Sequence, residues 1–447
     1  MRKGYHDYSI PVLPVKKEKQ KGSFVMFCIL DYGAIADGKT LNTKAIQTAI
    51  DACHAAGGGQ VMVPAGVFKT GTIWLRSNVE LHLTMGAVLL ASDCMDDYNE
   101  EDAYPQNFSR VAERWVGKHL IIAHEVENVA ITGFGTVDGN CYAFVEDDFE
   151  IEQWFRWRAG SFKLKDPEAL RPGQLIVFVE CDHVSVHDIT VRNSGCWSIL
   201  MHGCEFADVR GYKVFNPINM LNSDGLDLDS CRYVTVSDCI FHTGDDAITI
   251  RCLESQIKNK NIHSEYITIT NCTMHAGICA FRIGVGEGTI KHVRISNITV
   301  SRCRELFQFA TAYQSRGRAC IEDINISGVS AVDTERMISM FANNGAYVKD
   351  VHIENVRSDA TAMSYIHQND GTIDNICLRN VEIRAYDRYE HLDEKHLEMR
   401  GHYIFSVKNA ANVTLDTVCL RGDFRQKTDR VEISDCENIQ MTNCRFE

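Results

Sequence analysis

The sequence predicts an all-β fold: a single-domain right-handed parallel β-helix closed at its N-terminal end by one capping helix. Three observations carry that prediction. A template of apolar residues at relative positions 0, 2, 5 and 7 recurs ten times between Val184 and Phe446, with Asn, Asp or Gly in the break between the two pairs. The repeats start 23 to 37 residues apart, which suits one solenoid coil and is too short for a four-stranded propeller blade. One amphipathic helix precedes them all, where the first coil of a solenoid would otherwise expose its core and its strand edge.

Taken in order, the elements support this. After Phe24 the chain reads as strand, loop, helix, glycine stop and strand. Asn42 or Thr43 is placed to cap the helix, Ala45, Ile46, Ala49, Ile50 and Cys53 form its apolar stripe, and Gly57 to Gly59 end it. Asn78 to Leu83 and Asn128 to Phe134 read as less regular coils. The acidic and aromatic insertion between Cys141 and Arg171 fits no coil and is expected to wall a cleft. Val184, Ala207, Val234, Ile267, Val293, Ile324, Val351, Ile376, Val413 and Ile439 open the ten regular repeats. Alternation turns their apolar side chains inward, and positions 3 and 4 read as a tight turn between two strands of one coil. The leucine-dominated consensus and helical segment of a leucine-rich repeat are missing.

Composition narrows the partners. Against 46 basic residues stand 60 acidic ones, a net charge of −14, which excludes the basic face that nucleic acid requires. No apolar run reaches membrane-spanning length, so no membrane partner is expected. Residues 1–23 read as a polar leader without the apolar core of a signal peptide, ahead of one domain over 24–447, and a cytoplasmic location is the expectation. The chain has 18 cysteines. Cys239, Cys272, Cys419 and Cys444 show neither CxxC pairs nor zinc spacing and read as small core residues in a reducing compartment.

The chemistry concentrates between Asn222 and Asp246. Aligning Leu226 and Leu228 with Ile248 and Ile250 puts Asp224 and Asp246 in the same slot of successive coils, with Asp245 adjacent. Stacked strands lie ~4.8 Å apart, so three carboxyls would share one small patch. A single turn aspartate commonly serves only its local backbone, but three in register point to catalysis. Glycoside hydrolysis needs one protonated carboxyl for the leaving oxygen and a carboxylate to activate water or attack the sugar. Mutual repulsion would keep one of the three protonated near neutral pH. These residues alone do not tell acid from base.

From about Leu30 to the C-terminus the chain resembles glycoside hydrolase family 28, the polygalacturonase family. The segments DYGAIADGKTLNTKAIQTAIDA and GGGQVMVPAGVF resemble the N-terminal cap of the pectin-degrading β-helices. Arg171, Pro172, Asn193, Ser194 and Trp197 resemble the family's approach to its active site. Asn222 to Gly225 is similar to its NTDG motif with Ser for Thr, and Gly244 to Asp246 matches its GDD motif. The resemblance implies a carbohydrate substrate, no cofactor or metal, and inverting hydrolysis with Asp245 as general acid and Asp224 and Asp246 holding the water.

Two departures bear on the substrate. The family's Gly-His-Gly motif is here Ile278, Cys279 and Ala280, and the nearest histidine is His275. Its Arg-Ile-Lys motif, whose cations bind the uronate carboxylate, is here Gln308, Phe309 and Ala310. Arg282, one coil away in the slot equivalent to Gln308, and Arg251, after the GDD strand, are the candidate replacements. An arginine on a strand face is otherwise a solvated residue. Asn222, Arg251, His275, Arg282 and Gln308 are therefore the candidate substrate contacts, and weak or no activity on plain polygalacturonate is expected. Two other readings remain: a catalytically silent glycan-binding β-helix, and a polysaccharide lyase with a calcium-binding acidic cluster and a basic proton acceptor.

Overall fold

The computed structural model describes residues 26–103, 113–146, 163–166, 168–253, 258, 262–313, 317–386, 402–422 and 429–447. The polar leader and the stretch 147–162 of the insertion expected to wall a cleft lie outside them.

Helix α1 (Thr43–Ala55) buries Ile46, Ala49, Ile50 and Cys53 completely, and these four belong to the same continuous core as the coils. The helix therefore plugs the N-terminal end as its stripe requires. Gly57 and Gly58, with φ of 100° and 109°, end it, and the Gly58 amide donates back to the Cys53 carbonyl at 3.0 Å. A side chain on Gly58 would meet the Asn78 carbonyl oxygen at 2.4 Å. The start differs from expectation, because neither candidate caps the helix with its side chain. Asn42 instead holds the preceding loop, accepting from the Ile35 amide at 2.7 Å and donating to the Thr40 carbonyl at 2.7 Å. The Thr43 hydroxyl accepts from the amide of Gly71, just past the neighbouring strand Gly66–Thr70, at 2.7 Å.

Beyond the cap the chain is a right-handed parallel β-helix. The ten residues that open the repeats stand in a single column. Val184 pairs with Ala207, Ala207 with Val234, and so on without a slip through Ile267, Val293, Ile324, Val351, Ile376 and Val413 to Ile439. Val129 pairs with Val184 and extends the column toward the cap, and Val61, Leu81, Ile131 and Val186 form the next inward column beside it. The break within each coil is tighter than a two-residue turn. One residue, at position 4, takes a left-handed conformation in all ten repeats: Asp188, Gly211, Asp238, Asn271, Asn297, Gly328, Asn355, Asn380, Thr417 and Asn443. Asn, Asp and Gly tolerate that region best, and stacked asparagines bond across it, as Asn380 does to Asn355 at 2.7 Å.

A second left-handed position lies one residue before each repeat; it is Asp or Asn in the last five repeats, Asp323, Asp350, Asn375, Asn412 and Asn438, but carries no such signature in the first five. In five successive coils it holds His183, Phe206, Tyr233, Tyr266 and His292. Their rings stack in a column with centroids 4.9 to 5.0 Å apart, and the stacking offsets the strain of bulky residues at positive φ.

The third face of each coil is the sheet that carries Ile176–Val179, Ile199–His202, Leu226–Asp229, Ile248–Cys252 and Cys279–Gly286. Its outward column reads Leu200, Asp227, Thr249, Arg282, Gln308. All 18 cysteines are free thiols; Cys239, Cys272 and Cys419 are buried and Cys444 partly so. Among the described residues no helix is long and apolar enough to cross a membrane.

Candidate active site

Leu226 pairs with Ile248 and Leu228 with Ile250, so Asp224 and Asp246 occupy one slot of adjacent coils. Asp224, Asp245 and Asp246 are all buried, and each offers an oxygen within 4.8 Å of the other two. This is closer than the ~6.5–9.5 Å carboxyl separation usual for inverting enzymes. The cause is the strand spacing together with the adjacency of Asp245 and Asp246 in the chain.

Two turns deliver these groups, and Ser223 ties them together. Its hydroxyl donates to the Met220 carbonyl at 2.9 Å and accepts from the Gly244 amide at 3.0 Å, a function that Ser performs as well as Thr. Gly244 must lack a side chain, because a Cβ there would meet the Pro217 and Met220 carbonyl oxygens at 2.5 and 2.7 Å. Asn216 braces the base, bonding the Ser198 hydroxyl at 2.8 Å and the Ser223 carbonyl at 3.1 Å. Asn222 acts through its backbone: its amide donates to Asp245 Oδ2 at 3.0 Å, while its side-chain oxygen accepts from the buried Arg171 at 3.2 Å.

The two candidate arginines are not solvated strand residues. Arg282 is 12 % exposed and pairs with both oxygens of Asp246 and with the Gln308 side chain. Arg251 is 13 % exposed, reaches Asp224 at 3.3 Å and Asp227 at 3.0 Å, and lies 4.3 Å from the Trp197 ring. Both guanidiniums are thus neutralised by aspartates of the site.

These contacts set the protonation states. Burial pushes the Asp224 carboxyl well up, Asp227 and Asp246 add to this, and Arg251 and Arg282 oppose it. For Asp246 burial also works upward, but Arg282 and the Cys279 side chain outweigh it, and the carboxyl sits below its ordinary range; the Cys279 amide also donates to its Oδ1 at 2.9 Å. The site therefore separates an acid that keeps its proton from one that loses it.

Sequence reasoning missed Asp227. It is completely buried, bonds Thr249 and Arg251, and is pushed up to about 6 by burial against the pull of Arg251. The signal was present in LDLD, since inward Leu226 and Leu228 turn Asp227 out beside Asp224. Behind it the buried His202 and Asp229 pair at 3.4 Å. His275 is not brought into this group. It stacks on His242 with centroids 4.4 Å apart, reaches the Ser301 hydroxyl at 3.3 Å, and is pushed down to about 4 by burial and by His242 and Arg302.

The model of glycosyl hydrolases family 28 matches residues 53–396. The chain belongs to that family. Among its relatives is the exo-poly-alpha-D-galacturonosidase of Dickeya chrysanthemi, 32 % identical over 251 residues that cover 49 % of this chain and 41 % of that one. An exopolygalacturonase of Zea mays is 27 % identical over 236 residues, covering 52 % and 50 %. The chain spans about half the length of the curated relatives it matches. Of solved structures, the family 28 exopolygalacturonase of Yersinia enterocolitica superposes with a TM-score of 0.72 at 22 % identity over 93 % of this chain and 78 % of that one. The exopolygalacturonase of Thermotoga maritima gives 0.65 at 22 % identity over 83 % and 89 %. Those two superpositions bear on the fold.

Proposed function

We propose that this family 28 member is a glycosidase that hydrolyses a pectin-derived or related oligosaccharide. The observation that carries the reading is the trio of buried aspartates within 4.8 Å of one another on adjacent coils, one of them held ionised by an arginine. On the family resemblance, Asp245 donates the proton to the leaving oxygen, Asp246, held ionised, accepts the proton of the attacking water, and Asp224, which keeps its own proton, orients that water by hydrogen bonding. The names of the two curated relatives support release from a chain end. The commitment of Arg251 and Arg282 to aspartates supports weak action on plain polygalacturonate, whose carboxylates would find no spare cation among the candidates.

Leaving-group dependence tests the roles. Asp245→Asn should lower turnover of a natural oligosaccharide by about 10²–10⁴-fold but far less on a nitrophenyl glycoside, whose leaving group needs no proton. Asp246→Asn should be equally damaging on both. Full activity of Asp245→Asn on the natural substrate overturns the assignment. Family resemblance supports inversion, and NMR of the first-formed anomer tests it directly; a retained configuration overturns it. A chelator should leave the rate unchanged. If it abolished activity, and the products absorbed in the ultraviolet as unsaturated sugars, the lyase reading would replace this one.

A further inference from the structure

The slot of Asp224 and Asp246 continues past the catalytic group. Ile248 pairs with Phe281, Phe281 with Phe307 and Phe307 with Ile338. Two residues before each, Asp246, Cys279, Glu305 and Arg336 therefore stand in one column. Glu305 lies two coils beyond Asp246, roughly 10 Å at ordinary strand spacing.

Glu305 is 7 % exposed. Its Oε1 accepts from Arg336 Nη1 at 3.0 Å, and its Oε2 is buried with no hydrogen-bond partner among the described residues. Ser339, also buried, has its hydroxyl beside that of Tyr365. Ser339 stands next to Gln308 on one side and to the half-buried Tyr365 on the other. Glu305 stands opposite Arg336 and Ser339 opposite Tyr365 on neighbouring strands of one sheet; burial and the charge of Glu305 raise the Tyr365 hydroxyl, and Arg336 and Ser339 oppose them. A buried carboxylate oxygen left bare is costly unless a ligand completes it.

The charges here decide what that ligand is. Arg251 is taken by Asp224 and Asp227, Arg282 by Asp246 and Gln308, and Arg336 by Glu305. A uronate carboxylate placed beside Glu305 would meet a like charge in a partly desolvated site. A sugar hydroxyl would instead give Oε2 the donor it lacks.

We propose that Glu305, Ser339 and Tyr365 form a subsite that binds a neutral, hydroxyl-bearing sugar unit next to the one being cleaved and disfavours a uronate there. This rests on the glycosidase reading for the course of the sugar chain, and its test is a binding measurement that needs no turnover.

The full chain carrying Asp245→Asn is titrated by calorimetry with α-1,4-trigalacturonate and with its carboxyl-reduced counterpart, neutral α-1,4-galactotriose. The neutral trisaccharide should bind more tightly. Adding Glu305→Gln should weaken it by about tenfold and should not weaken trigalacturonate, so the preference narrows or reverses. Tyr365→Phe, which keeps the Glu305–Arg336 pair, should narrow it in the same direction and decides the matter if Glu305→Gln fails to fold. Equal loss for both sugars, or no change for either, overturns the subsite and leaves Glu305 as a support for Arg336. Turnover of the two sugars by the unmodified chain is read separately. If neither is cut but Glu305→Gln still shifts the preference, the hydrolase reading fails and the subsite stands.

Discussion

Asp227, paired with Arg251, and Asp246, paired with Arg282, carry opposite pH signatures. In an unfolded chain an aspartate titrates near 3.9, whereas burial holds Asp227 at about 6. The native state therefore binds more protons than the unfolded one between those values, and this residue makes stability fall as pH rises from about 4 to about 6. Asp246, held below its ordinary range by Arg282, does the reverse: its contribution is present above the unfolded value and is lost as pH falls through the folded one. Replacing Asp227 with Asn should thus raise stability relative to the parent more at pH 8 than at pH 4, by on the order of 2–3 kcal/mol. Thermal unfolding at the two pH values checks this, and an equal effect at both would refute it. Asp224, Asp245 and Asp246 were legible as a cluster because slot alignment needs only the repeat. The partners of Arg251 and Arg282 were not, because register places a long side chain without saying which way it turns.

At the scale of the element, the two turns that carry the aspartates depend on small groups more than on the aspartates they present. Gly244→Ala should abolish activity while leaving the far-ultraviolet circular dichroism of the β-helix intact, because the added carbon meets three oxygens at 2.5 to 2.7 Å in one turn only. Ser223→Ala removes both the bond to Met220 and the bond from Gly244, at about 1 kcal/mol each, whereas Ser223→Thr should keep activity. Turnover of the three variants compares these directly, and an active Gly244→Ala would show that the turn can shift. The elements themselves could be read in the sequence wherever alternation or a 3.6-residue stripe marked them. The capping of α1 could not, since Asn42 and Thr43 are drawn to the loop before the helix and to the strand beside it. The ring column of His183, Phe206, Tyr233, Tyr266 and His292 was equally hidden, because large rings are poor indicators of a left-handed backbone.

Over the whole molecule, each coil rests on its two neighbours, so damage at one end should stay local. Ile50 is fully buried beneath the first coils, and Ile50→Ala should cost about 2–5 kcal/mol there. Hydrogen exchange should then quicken in the strands Gly59–Val63 and Val79–Leu83, while Tyr347–Ala360 and Thr372–Ala385 keep their protection. Uniform acceleration would mean that the solenoid opens as one unit. The long column that unites these coils was visible in the ten in-register repeats, although the repeats start 23 to 37 residues apart. From the left-handed residue before each repeat to its position 7 the spacing is constant, and every extra residue enters afterwards, in the stretch that builds the sheet of the aspartates and its flanking loops. The molecule is in that sense a rigid chassis with interchangeable fittings: segments exchanged between relatives in that stretch alone would leave every strand opposite its old neighbour, so substrate range can be re-engineered by transplant without rebuilding the frame.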